Sequence, residues 1–180
     1  MRVIAGEFRS RKLKAPEGMT TRPTPDRLRE TLFDILQTRL EGCVFVDAYA
    51  GSGAVGIEAL SRGALRSIFI EKSRAAVEVI RENLHTLKLT ARAEVFTGKV
   101  AAVLERIEAD IVFLDPPYEL AREYEESLEV LGTKPPSLVI VQHAARADLP
   151  AHYGGLQRYR ILKQGDNSLS FYRVEDGGSQ

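Results

Sequence analysis

Only one cysteine, Cys43, occurs in the chain. No disulfide can form within it, which fits a reducing compartment and a cytoplasmic protein. Cys43 lies in an apolar run and reads as a core residue. No apolar segment approaches the roughly 20 residues of a membrane-spanning helix. The opening stretch MRVIAGEFRSRKLK has no apolar h-region, so no secretory signal is expected. The three histidines, His85, His143 and His152, have neither ligand spacing nor cysteine companions, so no metal site is expected. His143 ends a strand and reads as structural. Repeats and low-complexity segments are missing too. There is no net charge either, because 25 Lys and Arg balance 25 Asp and Glu.

What is present describes one soluble domain of ordinary size: 180 residues, 44% hydrophobic and 28% charged. Such a chain can bury a core without disulfides or metals. Its charge is uneven. Residues 1–29 hold eight basic residues and three acids, an excess of five that the remainder must offset. A basic arm on an acidic body suits an anionic partner met at one end.

Residues 2–15 alternate weakly and read as a small hairpin, so residues 1–23 are taken as a basic arm, 24–175 as the main domain and 176–180 as a disordered tail. TRPTPDRLRETLFDILQTRL predicts a helix with Thr24 as its cap and Pro25 in the first helical position. Leu28, Leu32, Ile35, Leu36 and Leu40 would form its buried stripe. Apolar strand-like runs then alternate with amphipathic segments: CVFVDAY, SIFIE, AEVF, DIVFLD and SLVIVQH. That alternation implies a doubly wound, mostly parallel α/β sheet with helices on both faces. The end differs, because LQRYRILKQ and SLSFYRV are joined by a turn at Gly165, Asp166 and Asn167 and form an antiparallel hairpin. A seven-stranded, Rossmann-like sheet closing on such a hairpin is the usual ending of S-adenosylmethionine (SAM) dependent methyltransferases.

The first strand runs into Asp47-Ala48-Tyr49-Ala50-Gly51-Ser52-Gly53-Ala54-Val55-Gly56, a G-x-G-x-x-G loop opening a helix, with Glu71 twenty residues after Gly51. This spelling suggests a nucleoside over the turn. Ile57 stands where a P-loop needs lysine, and Ser52 is not in a G-x-S-x-G elbow. Asp47 decides between ligands. A pyrophosphate prefers bare backbone N–H groups at a helix N-terminus, and a carboxylate there repels it. The ammonium and sulfonium of SAM favour one. Glu71 can accept from ribose hydroxyls in either reading.

A second motif, Asp115-Pro116-Pro117-Tyr118, follows an apolar strand. Two prolines fix the backbone and leave carbonyls without local donors. The Asp115 carboxylate and the Pro116 carbonyl are suitable acceptors for both N–H groups of an exocyclic amine. Held out of its preferred plane, the amine regains lone-pair density, and positioning supplies much of the acceleration. Tyr118 can stack on a base that has left its helix or loop.

Together RVIAGEFRSRKL, TRPTPDRLRETLFDIL, DAYAGSGAVGIEALSRGA, FIEKS, DPPY and GDNSLSFYR resemble the bacterial small-subunit (16S) rRNA guanine-N2 methyltransferases, the RsmD family. The blocks run in order from residue 2 to about 173. The resemblance implies that Asp47, Tyr49, Gly51, Ser52, Gly53, Glu71 and Lys72 line a SAM pocket. It implies that Asp115, Pro116, Pro117 and Tyr118 hold the guanine amine. Arg22 and Thr24 would stand near the cofactor entrance. Arg2, Arg9, Arg11, Lys12, Lys14 and Arg27 would meet 16S rRNA, free or in an assembling subunit. Gly98 and Lys99 stand where many methyltransferases place an acid against the adenine amine, and they are read as cofactor-binding through backbone atoms instead; Tyr49 stands where Phe is frequent. The motifs alone also admit adenine-N6 methylation of DNA or RNA, or a catalytically silent SAM- or RNA-binding module.

Overall fold

The computed structural model describes residues 1–18 and 24–175. Arg22 and the tail 176–180 lie outside these. An eight-stranded sheet carries the chain: β1 (Val44–Ala48), β2 (Arg66–Glu71), β3 (Ala93–Thr97), β4 (Ile111–Leu114), β5 (Leu138–Ala144), β6 (His152–Tyr153), β7 (Leu156–Gln164) and β8 (Asn167–Val174). Five helices connect it: α1 (Asp26–Leu36), α2 (Ala54–Ser61), α3 (Arg74–Thr86), α4 (Val100–Leu104) and α5 (Ala121–Thr133). Strand order is β3-β2-β1-β4-β5-β8-β7-β6. The first five strands pair in parallel, and β8 joins β5 antiparallel. The α/β sheet with a terminal hairpin is therefore as read from the sequence, except for its strand count. The eighth strand, β6, is two residues long and pairs only with β7. A strand that short leaves no periodicity to detect.

Side chains of the central strands alternate between two cores. Phe45, Phe69, Phe113, Ile140 and Phe171 face the layer of α1, α2 and α3, together with Val3 and Leu13 of the arm. Val46, Ile68, Ile70, Val112, Val139 and Tyr172 face α4 and α5. After β3 the chain crosses back over β1 to place β4 on its other side. The carboxyl ends of β1 and β4 thus flank a topological switch point, the place where open α/β sheets bind ligands.

Two local readings are corrected. Thr24 does not cap α1, and Pro25 occupies the cap position itself, outside the first helical turn. Pro25 is extended, with ψ at 138°, and offers no side-chain acceptor. The Thr24 hydroxyl goes instead to the sheet edge described below. Residues 1–14 of the arm form a small hairpin that lies on the body. Arg2 and Lys12 make one antiparallel bridge, and most of the arm's remaining contacts are with the body.

Candidate active site

β1 ends in a tight loop that only certain residues can form. Gly51 and Gly53 have φ of 57° and 82°, the left-handed region that glycine enters without strain. Gly56 is needed for another reason. A Cβ there would lie 2.4 Å from the Phe69 ring and 3.1 Å from Asp47 Cβ, so the glycine lets α2 sit directly on the sheet. Tyr49 shares the left-handed conformation, with φ of 61°. Its hydroxyl meets Ser127 Oγ at 2.8 Å and Glu123 Oε2 at 2.8 Å. The atom that distinguishes Tyr49 from Phe therefore ties the loop to α5.

Two carboxylates occupy the backbone donors of this turn. Asp47, buried, accepts from the Gly56 N–H at 2.9 Å. Glu71 accepts from the Gly51 N–H at 2.8 Å and from the Ser73 N–H at 2.9 Å. A pyrophosphate would need those same donors. Burial raises the Asp47 carboxyl well above its ordinary range; the Gly56 hydrogen bond opposes that shift, while the charges of Asp115 and Glu71 add to it. Three carboxylates converging on one cleft favour a cationic occupant. The donor set therefore fits the sulfonium and ammonium of SAM better than a dinucleotide.

Asp115 to Tyr118 leave β4 beside this loop. One cleft of about 1690 Å³ is lined by Asp47, Tyr49, Gly51, Glu71, Lys72, Gly98, Lys99 and all four residues of D-P-P-Y. A single small-molecule pocket is smaller, roughly 300–1,000 Å³, so there is room for a donor and an acceptor side by side. Asp115 is half-buried, and burial pushes its carboxyl up to about 7 against the hydrogen bond from Thr24 Oγ1 at 3.2 Å. The same hydroxyl lies 3.3 Å from Gln142 Oε1. The buried Tyr124 hydroxyl donates to the Pro116 carbonyl at 3.1 Å and reaches the Gln142 carbonyl at 3.3 Å, clamping the ends of β4 and β5 together. Pro116 keeps its second lone pair. The Tyr118 hydroxyl bonds to Asn167 Oδ1, the first residue of β8.

Other residues named from the sequence fall elsewhere. Ser52 and Gly53 support the loop from beneath: Ser52 Oγ accepts from the Ala54 N–H at 3.3 Å, and a Cβ on Gly53 would meet Phe69 at 3.3 Å. Lys99 lines the cleft but pairs with Glu126 of α5 at 2.7 Å, so an acid stands next to the position where β3 offers none. Arg2, Arg9, Arg11, Lys12, Lys14 and Arg27 are exposed and lie outside the cleft lining. His143 meets Ser170 Oγ at 2.7 Å and is a buried sheet residue with its titration lowered by that burial.

Gln142, Asn167, Glu123 and Arg146 also line the cleft and were not singled out from sequence. Gln142 carried a readable signal, a polar residue at the carboxyl end of an apolar strand. Asn167 lay within the quoted GDNSLSFYR block but was read only as a turn.

A family model described as conserved hypothetical protein 95 matches residues 1–173. The chain is 34% identical to ribosomal RNA small subunit methyltransferase D of Escherichia coli K12, over 99% of this chain and 92% of that protein. It is 36% identical to the protein of the same name from Haemophilus influenzae, over 97% and 92%. Among solved structures, the yhhF protein of Escherichia coli matches with a TM-score of 0.83 and 34% identity, covering 97% of this chain and 98% of that one. Protein TTHA0928 of Thermus thermophilus matches with a TM-score of 0.81 and 31% identity, covering 97% and 99%. A family model over residues 1–173 and relatives at 34–36% identity over nearly the whole chain show that the chain belongs to this family, that of ribosomal RNA small subunit methyltransferase D.

Proposed function

We propose that the protein is a cytoplasmic, SAM-dependent methyltransferase acting on the exocyclic N2 amine of a guanine in 16S rRNA. One observation carries the reading: Asp115 and Pro116 line the same cleft as Asp47 and Glu71 of the glycine loop. The names of the relatives support rRNA as the substrate class. Asp47, Tyr49, Gly51 and Glu71 would hold SAM, which when bound would supply a methyl group on a sulfonium.

The remaining chemistry belongs to this chain. Asp115, ionised, and Pro116 each accept one N–H of the amine, which frees its lone pair and fixes its direction. Both oxygens face positive charge developing on nitrogen. The nitrogen must then release a proton, and a carboxyl pushed up to about 7 is a competent acceptor for it. Tyr118, held by Asn167, offers its ring face to the extruded base. Tyr49 and Lys99 tie the donor side of the cleft to Glu123 and Glu126 of α5.

Labelled SAM is incubated with unmodified 16S rRNA and with assembled small subunits, and the product is digested to nucleosides. N2-methylguanosine is the expected product. N6-methyladenosine would transfer the reading to the adenine chemistry that the same motif serves, and absence of transfer to either substrate would leave a binding module.

A further inference from the structure

We propose that the outer hairpin, β7 with β8, is a second RNA-contact surface that holds single-stranded RNA next to the target nucleotide. The proposal rests on rRNA being the substrate.

Charge distribution gives the first argument. Elsewhere on the body Arg62, Arg66, Arg81, Arg92, Arg122 and Lys134 each face a carboxylate, whereas Arg39, Lys72, Arg74, Lys88, Arg106 and Arg146, scattered over several elements, have none within 4.0 Å among the described residues. The hairpin carries Arg158, Arg160, Lys163 and Arg173, and among the described residues none of the four has a carboxylate within 4.0 Å. Only Asp166, in the turn, opposes them in sequence. Arg158 is tied down through the Leu149 carbonyl at 2.8 Å. Arg160, Lys163 and Arg173 are exposed.

Geometry gives the second. A regular strand sends consecutive side chains to opposite faces. Here a bulge between Arg158 and Arg160 breaks the register, so that Arg160 pairs with Phe171 and Tyr159 is the extra residue. Tyr159 and Arg160, though adjacent, therefore both reach Phe171: the ring centroids of Tyr159 and Phe171 are 6.3 Å apart, and the Arg160 guanidinium lies 5.7 Å from the Phe171 centroid. Arg173 stacks on the other ring, 4.5 Å from the Tyr159 centroid. Two guanidinium planes and a tyrosine that is 38% exposed thus form one rank on the surface. Flat cations and rings in alternation suit phosphates and unstacked bases, and stacking does not depend on base identity.

Position gives the third. Phe171 belongs to the core beneath α1 and the basic arm, so this rank sits on the arm's side of the sheet. The far end of the same hairpin reaches the active site, where Asn167 holds Tyr118. Arg160 lies four residues before Gln164, the residue opposite Asn167, and four residues of strand span about 13 Å. β7 therefore runs from the stacked rank toward the reacting centre, along a path that neighbouring nucleotides can follow.

The test measures binding of unmodified 16S rRNA directly, as a function of salt, with SAM affinity and thermal melting as controls of the fold. Arg160→Ala with Arg173→Ala should weaken RNA binding roughly tenfold and lower the salt slope by about 1.4, the value for two single-strand phosphates. Tyr159→Ala should weaken binding with the slope unchanged, and Tyr159→Phe should bind as wild type, because the ring and not the hydroxyl does the stacking. Unchanged affinity and slope in the double variant would overturn the proposal. A loss seen only with protein-containing subunits, and not with naked RNA, would overturn it in favour of a protein partner. Wild-type transfer in the same assay keeps the two readings apart: no wild-type product counts against the methyltransferase reading, whereas normal product with indifferent hairpin variants counts against the hairpin alone.

Discussion

Asp115 stands in a conflict between stability and chemistry. An aspartate in an unfolded chain ionises near pH 3.9, whereas in the fold burial pushes this one up to about 7. As pH rises between those values, the unfolded chain loses its proton first. The folded state is therefore penalised progressively up to about 7, and the penalty persists above it. Asp115→Asn removes the ionisation and should be more stable than wild type at pH 8, by an amount on the order of 1–4 kcal/mol that shrinks toward zero as pH falls to about 4. Thermal melting across that range checks it. Catalysis needs the other form, because a protonated carboxyl no longer accepts. In wild type kcat/KM should fall as pH drops below about 7, and in Asp115→Asn that limb should disappear from whatever turnover remains. Asp115→Ala should lose roughly 10²–10³ in turnover while SAM affinity, measured by calorimetry, holds.

Helices and strands were legible where a repeating apolar period announced them. The buried stripe of α1 includes Leu28, Leu32 and Leu36, as spacing predicts; Ile35 is half-buried, and Leu40 is buried past the end of the helix. Spacing alone did not reveal the polar residues buried among them. Arg29, Glu58 and Asn83 are each at most 3% exposed, yet a charged or amide residue on a helix reads as its solvent face. Their partners lie far away in sequence, so no local pattern marks them. Glu58 accepts from the Ile4 N–H at 2.9 Å and the Ala5 N–H at 3.0 Å. Asn83 accepts from the Lys14 N–H at 2.8 Å and donates to the Lys14 and Ser52 carbonyls, each at 3.0 Å. The arm is thus a strap across α2 and α3, whereas its sequence showed only weak alternation and charge. Its cations remain outward, and neutralising Arg9, Arg11 and Lys12 together should flatten the salt dependence of RNA binding by about two to three units of slope, read from a titration series. An unchanged slope would move the RNA surface off the arm.

The glycine-loop half of the cleft is joined to the arm by that same amide. Asn83 holds Lys14 on one side and the carbonyl of Ser52, under the glycine loop, on the other. Asn83→Leu keeps the volume but strands two carbonyls and an N–H, and should cost about 2–4 kcal/mol of stability. It should also raise KM for SAM more than it lowers kcat, since the reacting carboxylate of Asp115 is untouched. Hydrogen exchange at the Lys14 amide should accelerate in parallel; an amide as protected as in wild type would show that the strap is held without Asn83. A purely structural loss would lower active protein without splitting KM from kcat.

The strap also fixes an order of events. Ile4, Ala5, Phe8 and Lys14 find their partners 53 to 69 residues further along the chain. A ribosome adding about 5–20 residues per second needs on the order of several seconds to make that stretch. Throughout that interval Ile4, Ala5, Phe8 and Lys14 lack the α2 and α3 side chains that they meet in the fold, and only α1, through Arg29, is there to receive Arg2. The segment synthesised earlier is seated later, on α2 and α3 that are made after it, so the seated arm reports that these two helices are in place.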